Sequence, residues 1–264
     1  MRKTSVRRDA TAFSALVHFV AIGITVFVMQ KGFQGVCIAT SISLASRFVI
    51  ANILVWCIER EENGVNARFF SSDTFRDLWP QFKLGIQSMG MSVWGYWALD
   101  IFTLMASYLS IEAIAAQTIM RSLGLYTYML PVGLSTTAST LIGNSIGAES
   151  KLAINHYFKI LMTLAVLIGV FECLLLHVTK DLIINFFADE PEVQKQMSKI
   201  WWIFQLFVIV DSISSVAANC VRATGRQNLG CIMTFVTFFI IGLPVAFCLA
   251  FLELNSHLTG LAGI

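Results

Sequence analysis

The sequence predicts an all-α fold, a polytopic bundle of transmembrane helices. Three observations predict it. Apolar residues make up 56% of the 264 positions and charged residues only 13%, with a mean hydropathy of +0.74; a soluble domain carries about 25% charged residues. Apolar runs of about 20 residues, the length that crosses a bilayer, recur along the whole chain. The basic residues gather in alternate connecting stretches. A net charge of +2 gives no basic excess for nucleic acid, so the expected partner is the lipid bilayer.

The runs lie near residues 12–29, 36–58, 84–108, 113–143, 157–178, 200–221 and 230–253, giving about seven spans, and an eighth opens at Leu258. The first follows a basic N-terminus and is succeeded by further spans rather than by a cleavage site and a soluble domain, so it is not a signal peptide. Between the second and third runs lies the longest hydrophilic stretch, 59–83, with Glu59, Arg60, Glu61, Glu62, Ser71, Ser72, Asp73 and Pro80; it reads as a linker between two groups of helices. The fourth run holds Pro131, where a kink or break is expected. The amphipathic stretch 179–199 is expected to lie on the interface or over the helix ends. Ile22-Gly23-Ile24-Thr25-Val26 in the first span is echoed by Ile241-Gly242-Leu243-Pro244-Val245 in the seventh, a weak sign of a parallel six-helix repeat.

Orientation follows from Lys and Arg. With a cytoplasmic N-terminus, the inner side holds twelve of them: Arg2, Lys3, Arg7, Arg8, Arg60, Arg68, Arg76, Lys83, Lys151, Lys159, Arg222 and Arg226. The outer side holds four: Lys31, Lys180, Lys195 and Lys199. Six cysteines sit in or beside apolar runs, with no CxxC and no His at ligand spacing, and read as small hydrophobes.

Ionisable residues inside spans point to function. A charge at the bilayer centre costs about 2.5–3.5 kcal/mol, so one that is present faces the bundle interior or water. Asp211 stands eleven residues from both Ile200 and Arg222, near the midplane. Asp100 shares a helix face with Trp97 and Tyr96, and an aromatic wall beside a carboxylate suits an organic cation. The bland reading of both is an internal hydrogen-bond or ion-pair partner; Arg121 and Arg47 are candidates for pairing. Glu172, a turn and a half from a helix end, is expected to snorkel, and Glu112 to sit at a helix N-terminus. His18 reads as a satisfied packing residue. From Pro131 to Ala148 small residues recur at 133, 135, 138, 139, 143 and 147, a spacing that lets helix backbones approach closely. Gly143 and Gly147 also suit a helix exit. No GKS or GKT follows them to cradle a phosphate.

Four patterns in this order resemble the multidrug and toxic compound extrusion (MATE) family. Pro131-x-Gly133-Leu134-Ser135, running on to Gly143-Asn144-x-x-Gly147-Ala148, is similar to the end of that family's eighth helix. Phe186-Phe187-Ala188-Asp189-Glu190-Pro191 resembles the loop before the tenth. Val221-Arg222-Ala223-Thr224-Gly225-Arg226-Gln227 resembles the turn after it, and Gly242-Leu243-Pro244 with Gly260-Leu261 the eleventh helix and the start of the twelfth. The likeness covers most of 84–264, and more loosely 12–58 as helices five and six. It departs at Ala223, where the family usually has glycine, and at Gly95, where eukaryotic members often carry the first of two glutamates; Asp100 matches the second. Asp211 matches the acidic position of the tenth helix. The family's first four helices have no counterpart here.

The resemblance implies two lobes: 1–58 as the remnant of the first, 59–83 as the inter-lobe linker on the cytoplasmic side, and 84–264 as a nearly complete second lobe. It implies a multi-pass antiporter, in a plasma or vacuolar-type membrane, that exports amphipathic organic cations or xenobiotics. It needs no cofactor beyond a transported proton or sodium ion. Substrate or ion binding would fall to Asp211, Asp100, Trp97 and Tyr96. Structural support would come from Pro131, Gly133, Gly143, Asn144, Gly147, Arg222, Gly225, Gln227 and Pro244. The rivals are a non-transporting fragment of such a transporter and a lipid-linked oligosaccharide flippase, which calls for a basic cavity. A seven-helix receptor lacks its Asp-Arg-Tyr and Asn-Pro-x-x-Tyr signatures, and an intramembrane enzyme lacks a paired catalytic set.

Overall fold

Residues 2–63 and 78–251 are described by a computed structural model. The chain divides into two units, residues 1–78 and 79–264. Most of the expected linker, residues 64–77, and the expected eighth span from Leu258 lie outside the described residues, as do Gly260 and Leu261.

In the first unit, α1 (Arg2–Ile22) runs into a π-helical turn, Gly23–Val28, and α2 (Gly32–Asn63) returns beside it. Gly32 takes φ +50°, a left-handed conformation that suits glycine. The two helices are antiparallel, because Ser14 meets Ser43 while Thr25 meets Gly35. The Ser14 hydroxyl donates to the Ser43 carbonyl at 2.8 Å, and the Ser43 hydroxyl to the Ser14 carbonyl at 3.0 Å. Thr25 Oγ1 reaches the Gly35 carbonyl at 2.9 Å, and a Cβ at Gly35 would stand 2.8 Å from the Thr25 carbonyl oxygen. Small residues at the seam bring the backbones together and let hydroxyls satisfy carbonyls away from water. His18 is not the satisfied residue expected: its Nδ1 is buried without a hydrogen-bond partner.

The second unit holds α3 (Leu78–Ser107), α4 (Ile111–Gly147), α5 (Lys151–Val178), the short α6 (Lys180–Phe187), α7 (Pro191–Ala223), α8 (Gln227–Phe235) and, after a π-helical turn at Val236–Gly242, α9 (Leu243–Phe251). Ser110 and Ser150 cap α4 and α5, accepting from the amides of Ala113 and Ala153. Pro191 opens α7, where its missing N–H costs nothing. Pro244 cannot donate to the carbonyl four residues back, and the chain before it widens into the π-helical turn. Gly23 begins the first π-helical turn and Gly242 ends the second, so the two echoed segments share this feature but not its register.

Five segments of the described chain are long and apolar enough to cross a membrane: Ala10–Val28, Gly32–Leu54, Lys151–Val178, Pro191–Ala223 and Gln227–Phe251. The two further spans expected at 84–108 and 113–143 are helical, within α3 and α4 of 30 and 37 residues, but fall below that apolar standard. Their lengths, about 45 and 55 Å, exceed a hydrocarbon core of about 30 Å. The shortfall in α4 comes from Glu112, Arg121 and a series of Ser and Thr. Those hydroxyls turn back on the helix, as Thr118 does to Ile114, Ser122 to Thr118 and Ser145 to Leu141, so the helix meets their demand itself. Of the kink or break expected at Pro131, the break does not occur: α4 continues as one helix through it, and Pro131 is fully buried.

The core of this unit lies among α4, α5 and α7. One cluster gathers Met120, Leu123, Leu176, Met197, Trp201 and Phe204; a second gathers Ala138, Ile142, Leu161, Ala165 and Val216. Large apolar side chains such as Leu152, Phe171, Val178 and Phe186 remain exposed; lipid is the solvent that suits them.

Candidate functional site

The site grows from the crossing of α5 and α7. Gly169 permits it: a Cβ there would lie 2.9 Å from Ile209 Cα and 3.3 Å from Ser212 Cβ. With the backbones this close, polar groups on one stripe of α7 reach α5. Trp201 Nε1 donates to the Leu176 carbonyl at 3.2 Å, Gln205 Nε2 to the Cys173 carbonyl at 3.4 Å, and the Ser212 hydroxyl to Glu172 Oε2 at 3.3 Å. Positions 201, 205 and 212 lie on one face by helical spacing.

Glu172 therefore does not snorkel. Its side chain is 3% exposed, its Oε2 meets Ser212, and its Oε1 has no hydrogen-bond partner. The expectation failed because it used only the distance to the end of α5, whereas the packing of α7 decides where the side chain goes. Asp211 stands next to Ser212 in sequence. Asp211 itself is half-buried and forms no hydrogen bond or ion pair among the described residues.

Asp100 is different. Its Oδ1 lies 2.6 Å from Nη2 of Arg121, an ion pair from α3 to α4. The aromatic pair expected beside it divides. Trp97 makes an edge contact with Trp94, with ring centroids 5.6 Å apart. Tyr96 is exposed. Trp94 is the centre of the aromatic group: it meets Phe235 at 5.0 Å and Phe239 at 5.6 Å, and its Nε1 reaches Cys231 Sγ at 3.3 Å. Gly90 makes room for this, since a Cβ there would strike Cys231 Sγ.

The motif residues fall in three places. Gly133, Gly143 and Gly147 are not at a close approach: a Cβ at each would meet nothing within 4 Å. The buried small face of α4 is instead Ser135, Ala138 and Ser145, with Ile142 between them. α4 ends at Gly147, Asn144 accepts from the Ala148 amide through its carbonyl, and the left-handed residue is Glu149 at φ +53°. Arg222 donates to Ser92 Oγ on α3 at 2.8 Å and to Asn219 Oδ1 at 3.4 Å, so it ties α7 to α3. Gly225 takes φ +72° in the turn to α8, which Gln227 opens.

Among the described residues no three His, Cys, Asp or Glu side chains gather as a metal-holding set. Asp211 and Glu172 are carboxyls within the apolar helices α7 and α5, the first half-buried and the second buried.

The described chain is thus a set of long, largely apolar helices, several of membrane-crossing length, with carboxylates inside them. The MatE family model matches residues 88–248, and the chain belongs to that family of transporters, which are not enzymes. It is 26% identical to multidrug and toxin extrusion protein 1 of Danio rerio, over 94% of this chain and 41% of that protein. It is 27% identical to protein DETOXIFICATION 18 of Arabidopsis thaliana, over 94% of this chain and 54% of that one. In structure it resembles the MATE transporter VcmN of Vibrio cholerae, with a TM-score of 0.79 at 15% identity, over 99% of this chain and 58% of that one. The chain spans about two-fifths to one-half of the length of these curated relatives.

Proposed function

We propose that this chain forms part of a cation-coupled antiporter that exports amphipathic organic cations, driven by protons or sodium. The observation that carries the reading is Asp211: a half-buried, unpaired carboxylate in the middle of an apolar helix of a MatE-family chain. Relatives named for multidrug and toxin extrusion support the substrate class. Asp211 takes a proton or sodium ion in one conformation and gives it up when an organic cation arrives, because a carboxylate in an apolar surround must be neutralised, paired or hydrated. Each partner stabilises the conformation it binds better. Asp100 meets a substrate only by exchanging it for Arg121, and Trp97 and Tyr96 offer faces for cation–π contact. In this reading residues 1–58 belong to one lobe, 84–264 to the other, and 59–83 links them.

The experiment is uptake of a fluorescent organic cation into proteoliposomes under an imposed proton or sodium gradient. The protein would carry this chain behind the first four helices of the Danio rerio relative. Uptake driven by at least one gradient is expected. No uptake under either gradient, with the intact relative active beside it, would leave a non-transporting chain.

We also place the N-terminus and residues 59–83 on the cytoplasmic side and 179–199 on the other, from the distribution of basic residues. In a background without native cysteines, an impermeant thiol reagent outside is expected to label Lys195→Cys and not Asn66→Cys. The opposite pattern would invert the topology.

Pro131→Ala restores an N–H donor in the middle of α4 without touching a carboxylate. Gradient-driven uptake is expected to fall while organic-cation binding stays within about twofold, a difference of about 0.4 kcal/mol. Lost binding with normal uptake would make Pro131 part of the binding surface.

A further inference from the structure

We propose that Glu172 carries a proton in the folded protein and, with Ser212, forms a second proton site at the crossing of α5 and α7, apart from Asp211. The inference deepens the antiport reading and rests on it for its purpose, though not for its test. Glu172 is absent from the expected binding residues, and its position in the sequence suggests a surface role. The structure reverses that.

The observations are geometric. Gly169, one turn before Glu172, brings α5 against the backbone of α7 at Ile209. That contact closes over the next turn, so Glu172 is 3% exposed and its partner Ser212 is 0% exposed. An ionised carboxylate offers acceptor sites on both oxygens and has no donor of its own. Here one oxygen receives a single long hydrogen bond of 3.3 Å, and the other receives none. A buried charge with so little compensation neutralises instead.

Among the described residues of this unit, no cation pairs with Glu172. On α4, the helix packed against α5 on one side, Arg121 is held by Asp100, and Glu112, Tyr126 and Tyr128 bring no positive charge. On α6, Lys180 and Asp181 lie beyond the end of α5. On α7, Lys195 pairs with Glu192, Lys199 stands near the same end, and Arg222 is bound to Ser92 and Asn219. On α5 itself, His156 and Lys159 lie in the first half, and His177 is in the last turn.

Asp211 is half-buried, whereas Glu172 is sealed in the helix crossing. In the proton step an O–H bond forms on a Glu172 carboxylate oxygen as an O–H bond of a hydronium ion breaks, leaving water. The Ser212 hydroxyl accepts from or donates to that group as its state changes.

The test is infrared spectroscopy of the purified 264-residue chain in lipid nanodiscs, in H2O and D2O, following the C=O stretch of protonated carboxyl groups. At neutral pH the unaltered chain is expected to show this band, and Glu172→Gln to lose it. Ser212→Ala is expected to keep the band but shift its frequency, which preserves the test if Glu172→Gln fails to fold. In Asp211→Asn the band is expected to remain, which assigns it to Glu172. No protonated carboxyl at neutral pH, or a band untouched by Glu172→Gln and by Ser212→Ala, would overturn the proposal. So would a band lost in Asp211→Asn and kept in Glu172→Gln. The readout needs no transport, so absent flux would count against antiport and leave the proton site standing, and an absent band would do the reverse.

Discussion

Gly169→Leu is expected to lower the melting temperature of the detergent-solubilised chain by about 5 °C or more, for an overpacking cost of about 1–3 kcal/mol. The first added carbon falls 2.9 Å from the Ile209 Cα and 3.3 Å from the Ile209 carbonyl oxygen. These are backbone atoms in the middle of a 33-residue helix and have no flexible end to swing away. Relief comes only by separating α5 from α7, which draws apart the Trp201–Leu176, Gln205–Cys173 and Ser212–Glu172 contacts together. Gly133→Leu is the matched control, since a side chain at 133 enters open space; it removes a flexible residue from a helix and is expected to leave the melting temperature unchanged or raised. Equal loss in the two variants would show that the α5–α7 approach is not the constraint described.

Asp211→Asn is expected to reduce gradient-driven uptake of an organic cation at least about tenfold, equivalent to about 1.4 kcal/mol, in the same reconstituted protein that tests the antiport reading. The amide keeps the volume and some of the hydrogen bonding but neither binds a proton nor draws a cation. The variant is expected to fold and reach the membrane, because it removes an unpaired charge from an apolar helix rather than adding one. Asp100→Asn is expected to do less, since Arg121 already neutralises Asp100 at 2.6 Å. Unaltered uptake in Asp211→Asn under both gradients would make Asp211 a structural residue.

The helices of this protein are readable because their signals are local. Apolar runs, and the motifs that put Pro191 in the loop before α7 and Gly225 in the turn after it, each depend on a few neighbours in sequence. What eluded the sequence depends on which helix lies opposite. Glu172 looks like a residue near a helix end until α7 is laid over it. Arg121 is recognisable as needing a partner, but only the packing of α3 on α4 selects Asp100. The glycines of the motif from 131 to 148 invite the reading of a close helix contact, yet Gly133, Gly143 and Gly147 have open space beside them, and the close contacts fall at Gly35, Gly90, Gly169 and Gly230. Small-residue spacing states that an approach is possible; it does not state that a second helix uses it. Hydropathy likewise undervalues α4, because it counts each Ser and Thr as exposed polarity when the hydroxyls are already bound to the helix's own carbonyls.

Competition at Asp211 is the centre of this account, and equilibrium binding measures it without any need for transport. Tetraethylammonium binding to the purified chain, followed by calorimetry across pH and sodium concentration, gives the result directly. The account predicts that affinity falls as protons or sodium are added, by up to about tenfold per pH unit if one proton is exchanged, and that Asp211→Asn binds with an affinity independent of both. Affinity that ignores both ions in the unaltered chain, or that responds to them equally in Asp211→Asn, would contradict it.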